Sequence, residues 1–224
     1  MSKINLQKSA RSLSPLSLLV LAACNGDSTT GGGSGGGGYQ FLSFSGNVVK
    51  GPLSNALVGL DYDGDGVVDS STVRTDADGG FTFTPTQASY TVIAVTDEST
   101  IDASSGTVLS GITLKAPSGA TVVTPTTTLM EEGGLTAAQV MEVLGLPEGV
   151  DPLTFNAFAV GVNAGDALAV EKVSQQIMSV VRAFAAAAEG AGASQSDAFE
   201  AALSSVAEVV KTKAAKLTDV NASF

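Results

Sequence analysis

The chain has no histidine and only one cysteine among its 224 residues. Histidine is the usual general base of enzymes and the commonest side-chain ligand of zinc and copper. Its absence excludes a Ser-His-Asp or Cys-His catalytic arrangement, and the single cysteine, Cys24, has no disulfide partner within the chain. We therefore predict a protein that is not an enzyme, with carboxylate chemistry as the one catalytic route left open.

Tryptophan is also absent, and the aromatic residues are nine Phe and three Tyr. Basic residues are few, 11 against 22 acidic ones, which gives a formal net charge of −11. Phosphate binding needs a basic face, so we expect no nucleic-acid partner. A strongly anionic surface instead favours solubility and the uptake of cations.

The first 23 residues have the layout of a secretory signal peptide. Lys3, Lys8 and Arg11 form a positive start, and residues 12–23 form a short apolar run that ends in small residues. A bilayer span needs roughly 20 apolar residues, so this run is too short to serve as one. Removal of residues 1–23 leaves eight basic residues against 22 acidic ones, because the segment holds three of the 11 basic residues and no acidic one.

The sequence Leu21-Ala22-Ala23-Cys24 resembles the lipobox of bacterial lipoproteins. The resemblance implies that the sulfur of Cys24 carries a lipid, that the preceding peptide is removed, and that the new amino group is acylated. Several acyl chains would anchor the protein stably, since one chain alone holds a protein only marginally. The alternative is an ordinary signal peptide with a chance cysteine near its cleavage site.

Residues 24–38 start with Cys24 and continue as a glycine-rich linker, NGDSTTGGGSGGGG. This composition is typical of a flexible chain, with a root-mean-square reach of roughly 20 Å. Lipoproteins that stay at the inner membrane commonly carry Asp after the cysteine, and this chain carries Asn25. The resemblance therefore implies an exported protein of the cell envelope, held by its lipid anchor in the outer membrane.

Residues 39–124 are predicted to form an antiparallel β-sandwich. Short segments rich in Val, Thr, Phe and Tyr alternate with clusters of Gly, Pro, Asp and Ser, which is the pattern of strands joined by turns. Phe81 and Phe83 alternate with threonines, as in a strand with one buried face, and the mostly apolar run from Tyr90 indicates a central strand. The predicted strand segments are FSGNVV, ALVGLDY, STVRTD, GFTFTP, YTVIAVT and GATVVTP.

Four motifs in this region resemble those of carboxypeptidase-regulatory-like and Cna-B-like domains. They are GNVVKGPL at 46–53, ALVGL at 56–60, TDADGGFTF at 75–83 and YTV at 90–92. Such domains are transthyretin-like, Ig-like sandwiches that serve as stalk, spacer or adhesive modules on bacterial surfaces. The resemblance implies the same fold and the same kind of use for residues 39–124.

One acidic segment inside the predicted sandwich, DYDGDGVVD at 61–69, has the spacing of a calcium loop. Carboxylates at positions 1, 3 and 5, a glycine at 6 and a backbone carbonyl at 7 are the first half of an EF-hand-type loop. This register predicts a structural calcium ion as cofactor, to which Asp69 would bind directly or through water. The predicted ligands are Asp61, Asp63, Asp65, the carbonyl of Val67, and Asp69.

The twelfth position of this loop departs from the EF-hand pattern, because Thr72 stands where a bidentate Glu belongs. The segment is closer to the isolated Asp-rich calcium loops found between strands of extracellular proteins. The alternative is a hairpin in which the Asp-Gly pairs only supply the turn.

Residues 125–224 are predicted to form a small helical bundle, which makes the fold class α+β. Helices are expected at 135–144, with Thr136 as N-cap, at 166–189, and from Ser194 or Ser196 onward. Apolar residues recur at three- and four-residue spacing in the two longer helices and are predicted to face the core. They are Val170, Val173, Ile177, Val180 and Phe184, then Phe199, Leu203, Val206, Val210 and Leu217.

These features predict a lipid-anchored, non-enzymatic protein of the cell envelope that acts as a surface spacer or adhesion module. Its expected contacts are the membrane, through the lipid, and an extracellular polysaccharide or an envelope protein. The alternative is a periplasm-facing binding lipoprotein that captures a small ligand or polysaccharide. That alternative predicts a concave apolar pocket or an aromatic platform.

Overall fold

The computed structural model of the protein describes residues 41–221, with side chains up to residue 217. The predicted signal peptide at 1–23, the predicted lipidation site Cys24 and the glycine-rich linker up to residue 38 lie outside the described residues. The described strands and helices belong to one compact unit.

Ten strands come first in the described residues and four helices follow, so the fold class is α+β, as predicted. Each of the six predicted strand segments contains a strand, whereas β2, β7, β8 and β9 were not predicted. The strands are β1 (Phe44–Val48), β2 (Leu53–Ser54), β3 (Leu57–Asp61), β4 (Val73–Arg74), β5 (Gly80–Phe83), β6 (Thr91–Val95), β7 (Ile101–Asp102), β8 (Thr107–Val108), β9 (Thr113–Pro117) and β10 (Val122–Val123).

The strands form three small sheets that are mostly antiparallel. One sheet has the order β10-β1-β5, a second has the order β4-β3-β6-β9, and a third has the order β2-β7-β8. The pairing of β1 with β10 is the parallel exception among the described strands. Strand β6 lies between β3 and β9, which confirms the prediction of a central strand and explains its mostly apolar sequence, since both faces are covered.

Apolar side chains from the first and second sheets enter one hydrophobic core that also takes in residues of the helices. Phe81, Phe83 and Tyr90 surround Phe44, with ring centroids 5.3 to 6.4 Å from that of Phe44. These are the spacings of attractive edge-to-face and offset aromatic pairs. Strands and helices therefore depend on a common core.

The helices are α1 (Pro125–Gly133), α2 (Ala137–Leu144), α3 (Ala164–Gly190) and α4 (Gln195–Asn221). The change from strand to helix falls at Thr124, where the sequence pattern changes. Helix α2 has the predicted N-cap, Thr136, and ends at Gly145 in the left-handed conformation with φ 65°, which glycine adopts without a Cβ clash. No helix among the described residues combines the length and apolar character that a membrane span requires.

Helix α1 was not among the predicted helices. It begins with a proline at N1, and Thr124 and Thr127 form a capping box that satisfies its first N–H groups. Threonine is a poor helix former, so the run of three threonines concealed the helix. In the structure all three are buried, and tertiary packing outweighs their weak propensity.

The predicted core face of α3 is partly wrong. Ile177 is buried, but Val180 is 45% exposed and Phe184 is 57% exposed. The buried face is formed by Ser174, Ile177, Met178, Val181 and Ala185. The apolar stripe of α3 is wider than the face that α4 and α1 cover, so spacing alone did not select which side is buried.

Candidate metal centre

The acidic loop connects β3 to β4 and is built around the carboxylate of Asp61, the last residue of β3. The side chain is buried, and its Oδ1 accepts hydrogen bonds from the N–H groups of Asp63 at 3.2 Å and Gly64 at 2.7 Å. Its Oδ2 accepts from the N–H of Gly66 at 2.9 Å. A buried carboxylate is costly unless it is hydrogen-bonded, and here the loop backbone supplies the donors.

Two glycines allow the chain to curl around this carboxylate. Gly64 has φ 80° and Gly66 has φ 87°, values that side chains with a Cβ rarely adopt. Along the same segment, Asp65 N–H donates to Asp63 Oδ1 at 3.2 Å, and Val67 N–H donates to Asp65 Oδ1 at 2.8 Å. Each aspartate thus fixes the backbone two residues ahead and keeps its own carboxylate on the loop.

This arrangement brings three of the predicted ligands together. One carboxylate oxygen each from Asp61, Asp63 and Asp65 lies within 4.8 Å of the other two. Oxygens that share a calcium ion at 2.3–2.6 Å are at most about 5 Å apart, so the three oxygens fit one coordination shell. The donor set consists of hard oxygens, which suit calcium or magnesium rather than zinc or copper.

The two remaining predicted ligands lie elsewhere in the loop. Asp69 closes its base, because its Oδ2 accepts from Tyr62 N–H at 2.8 Å and its own N–H donates to the carbonyl of Leu60 at 2.9 Å. Val67 is at the exposed tip. The structure does not place Asp69 in the group of three carboxylates, so the direct or water-mediated role of Asp69 and that of the Val67 carbonyl stay predictions.

The loop faces a small cavity of about 200 Å³ that α1 and strand β9 also line. Lys115 Nζ donates to Glu132 Oε1 at 2.6 Å, and Thr91 Oγ1 donates to Glu131 Oε1 at 2.7 Å. The two glutamates are therefore engaged in joining α1 to β9 and β6. The acidic loop consequently lies beside a region where side-chain hydrogen bonds hold α1, β6 and β9 together.

Sequence reasoning missed a buried ion pair between Lys50 and Asp102. The two side chains lie 3.0 Å apart with side-chain exposures of 9% and 1%. Burial acts to raise the pKa of Asp102, but hydrogen bonds from Ser104 and Lys50 and the charge of Lys50 outweigh it, so that the pKa lies below its usual range. The partners are 52 residues apart, and no local pattern could have revealed them.

Comparison of the whole chain with protein-family models, with curated proteins and with solved structures gave no match. The resemblances to the lipobox and to Cna-B-like domains therefore depend on the motifs in the sequence alone.

Proposed function

We propose that this protein is a lipid-anchored, non-enzymatic component of the bacterial cell envelope, most simply of the outer membrane. Its folded body serves as a spacer or adhesion unit carried on the glycine-rich linker. We also propose that the first two sheets form a transthyretin-like sandwich, and that the loop between β3 and β4 holds a structural calcium ion.

The observation that carries the calcium part of the proposal is the convergence of Asp61, Asp63 and Asp65 on one small region. Two carboxylates 5 Å apart repel each other by about 0.8 kcal/mol even in water, so a divalent cation relieves a cost that the loop otherwise bears. Two of the three carboxylates are exposed, which favours a weak site with a Kd of roughly 0.1 to 1 mM. Such a site fills in a calcium-rich extracellular medium.

The bound ion would stiffen the connection between β3 and β4. That connection is 11 residues long, and eight of those residues are exposed. A calcium ion would add three carboxylate bonds across it. The expected role is structural, as a module exposed to force and proteases outside the cell requires.

The anchoring part of the proposal rests on Cys24 and its flanks. A positive start and a short apolar run that ends in the small residues Ala22 and Ala23 precede the only cysteine, and a glycine-rich linker follows. Lipid on Cys24 would place the folded body within roughly 20 Å of the membrane surface on average.

The binding-lipoprotein alternative predicted a concave apolar pocket or an aromatic platform. Phe44, Phe81, Phe83 and Tyr90 pack on one another at the core, and they are not available as a flat exposed surface. This aromatic cluster does not supply the platform, and we favour the spacer or adhesion function.

Calcium titration of thermal unfolding tests the metal site. With a Kd of roughly 0.1 to 1 mM, 10 mM calcium stabilises the folded state by about 1.4 to 2.7 kcal/mol, or roughly 3 to 10 °C in Tm. The double variant Asp63→Asn with Asp65→Asn should lose this increase. The matched control is Asp78→Asn, which changes an exposed carboxylate in the turn before β5, outside the acidic loop. An equal rise in Tm for the double variant would refute the site.

Intact-mass analysis of the protein isolated from membranes of a bacterial host tests the anchor. The expected mature chain begins at Cys24 and carries the added mass of its acyl chains, and a Cys24→Ser variant should lack that mass. Recovery of the wild-type chain as a soluble, unacylated species would overturn the proposal.

A further inference from the structure

A groove of about 670 Å³ crosses the outer face of the sheet β10-β1-β5. Its floor takes residues from all three strands, including Ser45, Asn47 and Thr82. Phe81 and Phe83 of β5 are buried on the opposite face of the same sheet, whereas Ser45 and Thr82 are exposed. A ligand in the groove would meet polar side chains on a surface that the hydrophobic core supports from behind.

The two walls of the groove are fixed by hydrogen bonds. On one side, Asp76 Oδ1 accepts from the N–H groups of Asp78 at 2.9 Å and Gly80 at 2.7 Å. On the other side, the N–H of Thr121 donates to the carbonyl of Leu153 at 2.8 Å, which holds the segment containing Thr154 and Asn156 against the sheet. Fixed walls lower the ordering cost of binding.

Gly80 keeps the groove open beside Asp76, and its φ is not left-handed. A Cβ at Gly80 would lie 2.6 Å from Asp76 Oδ2. The position requires glycine for space rather than for backbone conformation, and a side chain there would crowd the Asp76 carboxylate.

Several of these polar groups retain hydrogen-bonding capacity. Asn156 uses its Oδ1 to accept from Phe158 N–H at 2.9 Å, and its Nδ2 group has no partner within the described residues. Asp76 Oδ2 and Thr121 Oγ1 likewise have no partner there. Ser45 and Thr82 share one hydrogen bond at 2.8 Å, which leaves one hydroxyl hydrogen free. The groove therefore offers both free donors and free acceptors.

The charge in the groove excludes an anionic ligand. Arg74 is the one cation among the residues that line it, and its guanidinium donates to Asp97 Oδ2 at 2.7 Å and to Ser99 Oγ at 2.9 Å. With Arg74 neutralised, the carboxylate of Asp76 is the uncompensated charge. A phosphate or a uronic acid would be repelled.

We propose that this groove binds a neutral polysaccharide. Hydroxyl groups both donate and accept hydrogen bonds, so a polysaccharide can use the free donors and the free acceptors of the groove. A groove that crosses three strands also presents side chains rather than the free backbone edge that a peptide strand would pair with. The groove thereby names a ligand class for the proposed adhesion function. The inference rests on that proposed function, because the protein meets extracellular polysaccharide only if it is exported. Binding itself requires neither lipid nor calcium.

Affinity electrophoresis of the full chain in a zwitterionic detergent tests the proposal, with dextran and laminarin as neutral polysaccharides and alginate as an anionic one. We expect at least one neutral polysaccharide, and not alginate, to retard the wild-type protein. Asn156→Asp keeps the acceptor for Phe158 N–H and removes the free amide donor, and Thr121→Val removes a hydroxyl. Each should weaken binding about tenfold.

Thr107→Val is the matched control, because Thr107 is equally exposed but lies on β8, outside the groove. It should bind as the wild type does. Three results would overturn the proposal. They are no retardation by dextran and none by laminarin, undiminished binding by both groove variants, and displacement by a peptide digest but not by free oligosaccharide. Asn156→Asp should show the same calcium-dependent rise in Tm and the same added acyl mass as the wild type, so failure of the groove is distinguishable from failure of the proposed function.

Discussion

At the scale of single residues, the ion pair of Lys50 with Asp102 organises the corner between β1 and β2. Asp102 Oδ2 accepts from Lys50 Nζ, and Oδ1 accepts from Ser104 N–H at 2.9 Å. Gly51 has φ 72°, and a Cβ there would come within 2.3 Å of Asp102 Oδ1. The corner therefore needs glycine for both its conformation and its space.

Removal of one partner of this pair should be costly. Asp102→Ala leaves a buried ammonium without a counter-charge, and we expect it to lower the free energy of unfolding by roughly 3 to 5 kcal/mol. The double variant Lys50→Met with Asp102→Leu should be much closer to the wild type, because no lone charge remains. Urea unfolding measures both. Arg74→Ala, which breaks an exposed pair, is the comparison. The prediction would be contradicted if Asp102→Ala lowered the free energy of unfolding no more than Arg74→Ala does.

Asp97 and Asp102 together predict how the stability of the protein responds to acid. A hydrogen bond from the Arg74 guanidinium, with further ones from Ser99, holds the pKa of Asp97 well below its usual range, and the pKa of Asp102 is also lowered. A carboxyl whose pKa is lower in the folded than in the unfolded chain, where it is about 3.9, contributes stability above that value and loses it as the pH falls.

We therefore expect the free energy of unfolding to fall as the pH is lowered from about 5 to about 2. Urea unfolding at a series of pH values measures this slope. Arg74→Ala removes the main cause of the lowered pKa of Asp97 and should make the slope shallower. An equal slope in the variant would show that Asp97 does not contribute.

At the scale of elements, α1 is held by its threonines. Thr127 Oγ1 donates to the carbonyl of Lys115 at 2.8 Å and accepts from Thr124 N–H at 2.8 Å. Thr128 Oγ1 donates to the carbonyl of Thr124 at 2.6 Å. Thr126 differs, because its Oγ1 is the one buried side-chain polar atom without a hydrogen-bond partner among the described residues.

This difference predicts opposite effects for two substitutions of the same shape. Thr126→Val removes an unsatisfied hydroxyl and should raise the free energy of unfolding by up to about 1 kcal/mol. Thr127→Val leaves buried partners unpaired and should lower it by roughly 1 to 3 kcal/mol. Chemical denaturation of both variants tests the pair, and a loss of stability in Thr126→Val would contradict the assignment.

The elements also show what the sequence could predict. Helix α2 was predicted because its signals, Thr136 and Gly145, lie at its own ends. Helix α1 was missed because its run of threonines has a weak helix propensity, which its packing on β9 and α4 outweighs. In α3 the stripe of apolar residues was wide enough for either of two sides of the helix to be buried. Only the position of the neighbouring helices decides which side it is.

The acidic loop and the groove differ in the same way. Asp61, Asp63 and Asp65 lie within five residues, so their convergence follows from local turn chemistry and was predicted. The groove combines residues from 45 to 156 of the chain, which come together only when β10 pairs with β1. Contacts over such distances in the sequence are set by topology, which motifs do not encode.

At the scale of the whole molecule, one hydrophobic core contains residues from both sides of the predicted domain boundary at Thr124. Leu114 and Ala116 of β9 are fully buried, and α1 packs on that strand through Thr127 and Thr128. We expect residues 39–124 expressed alone to lack a cooperative thermal transition and to bind the dye ANS, because their apolar surface is uncovered. A sharp transition in that fragment, comparable with that of residues 39–224, would show that the strands fold independently.

Strand β1 is the first strand of the described chain, and it lies in the middle of its sheet, paired with β10 on one side and β5 on the other. Mechanical load applied through the proposed anchor at Cys24 would reach β1 before any other described strand. Two hydrogen-bonded ladders, rather than one, would have to rupture before that strand is extracted. A body pulled by flow or by a neighbouring cell would thus resist unravelling at the point where the pull arrives.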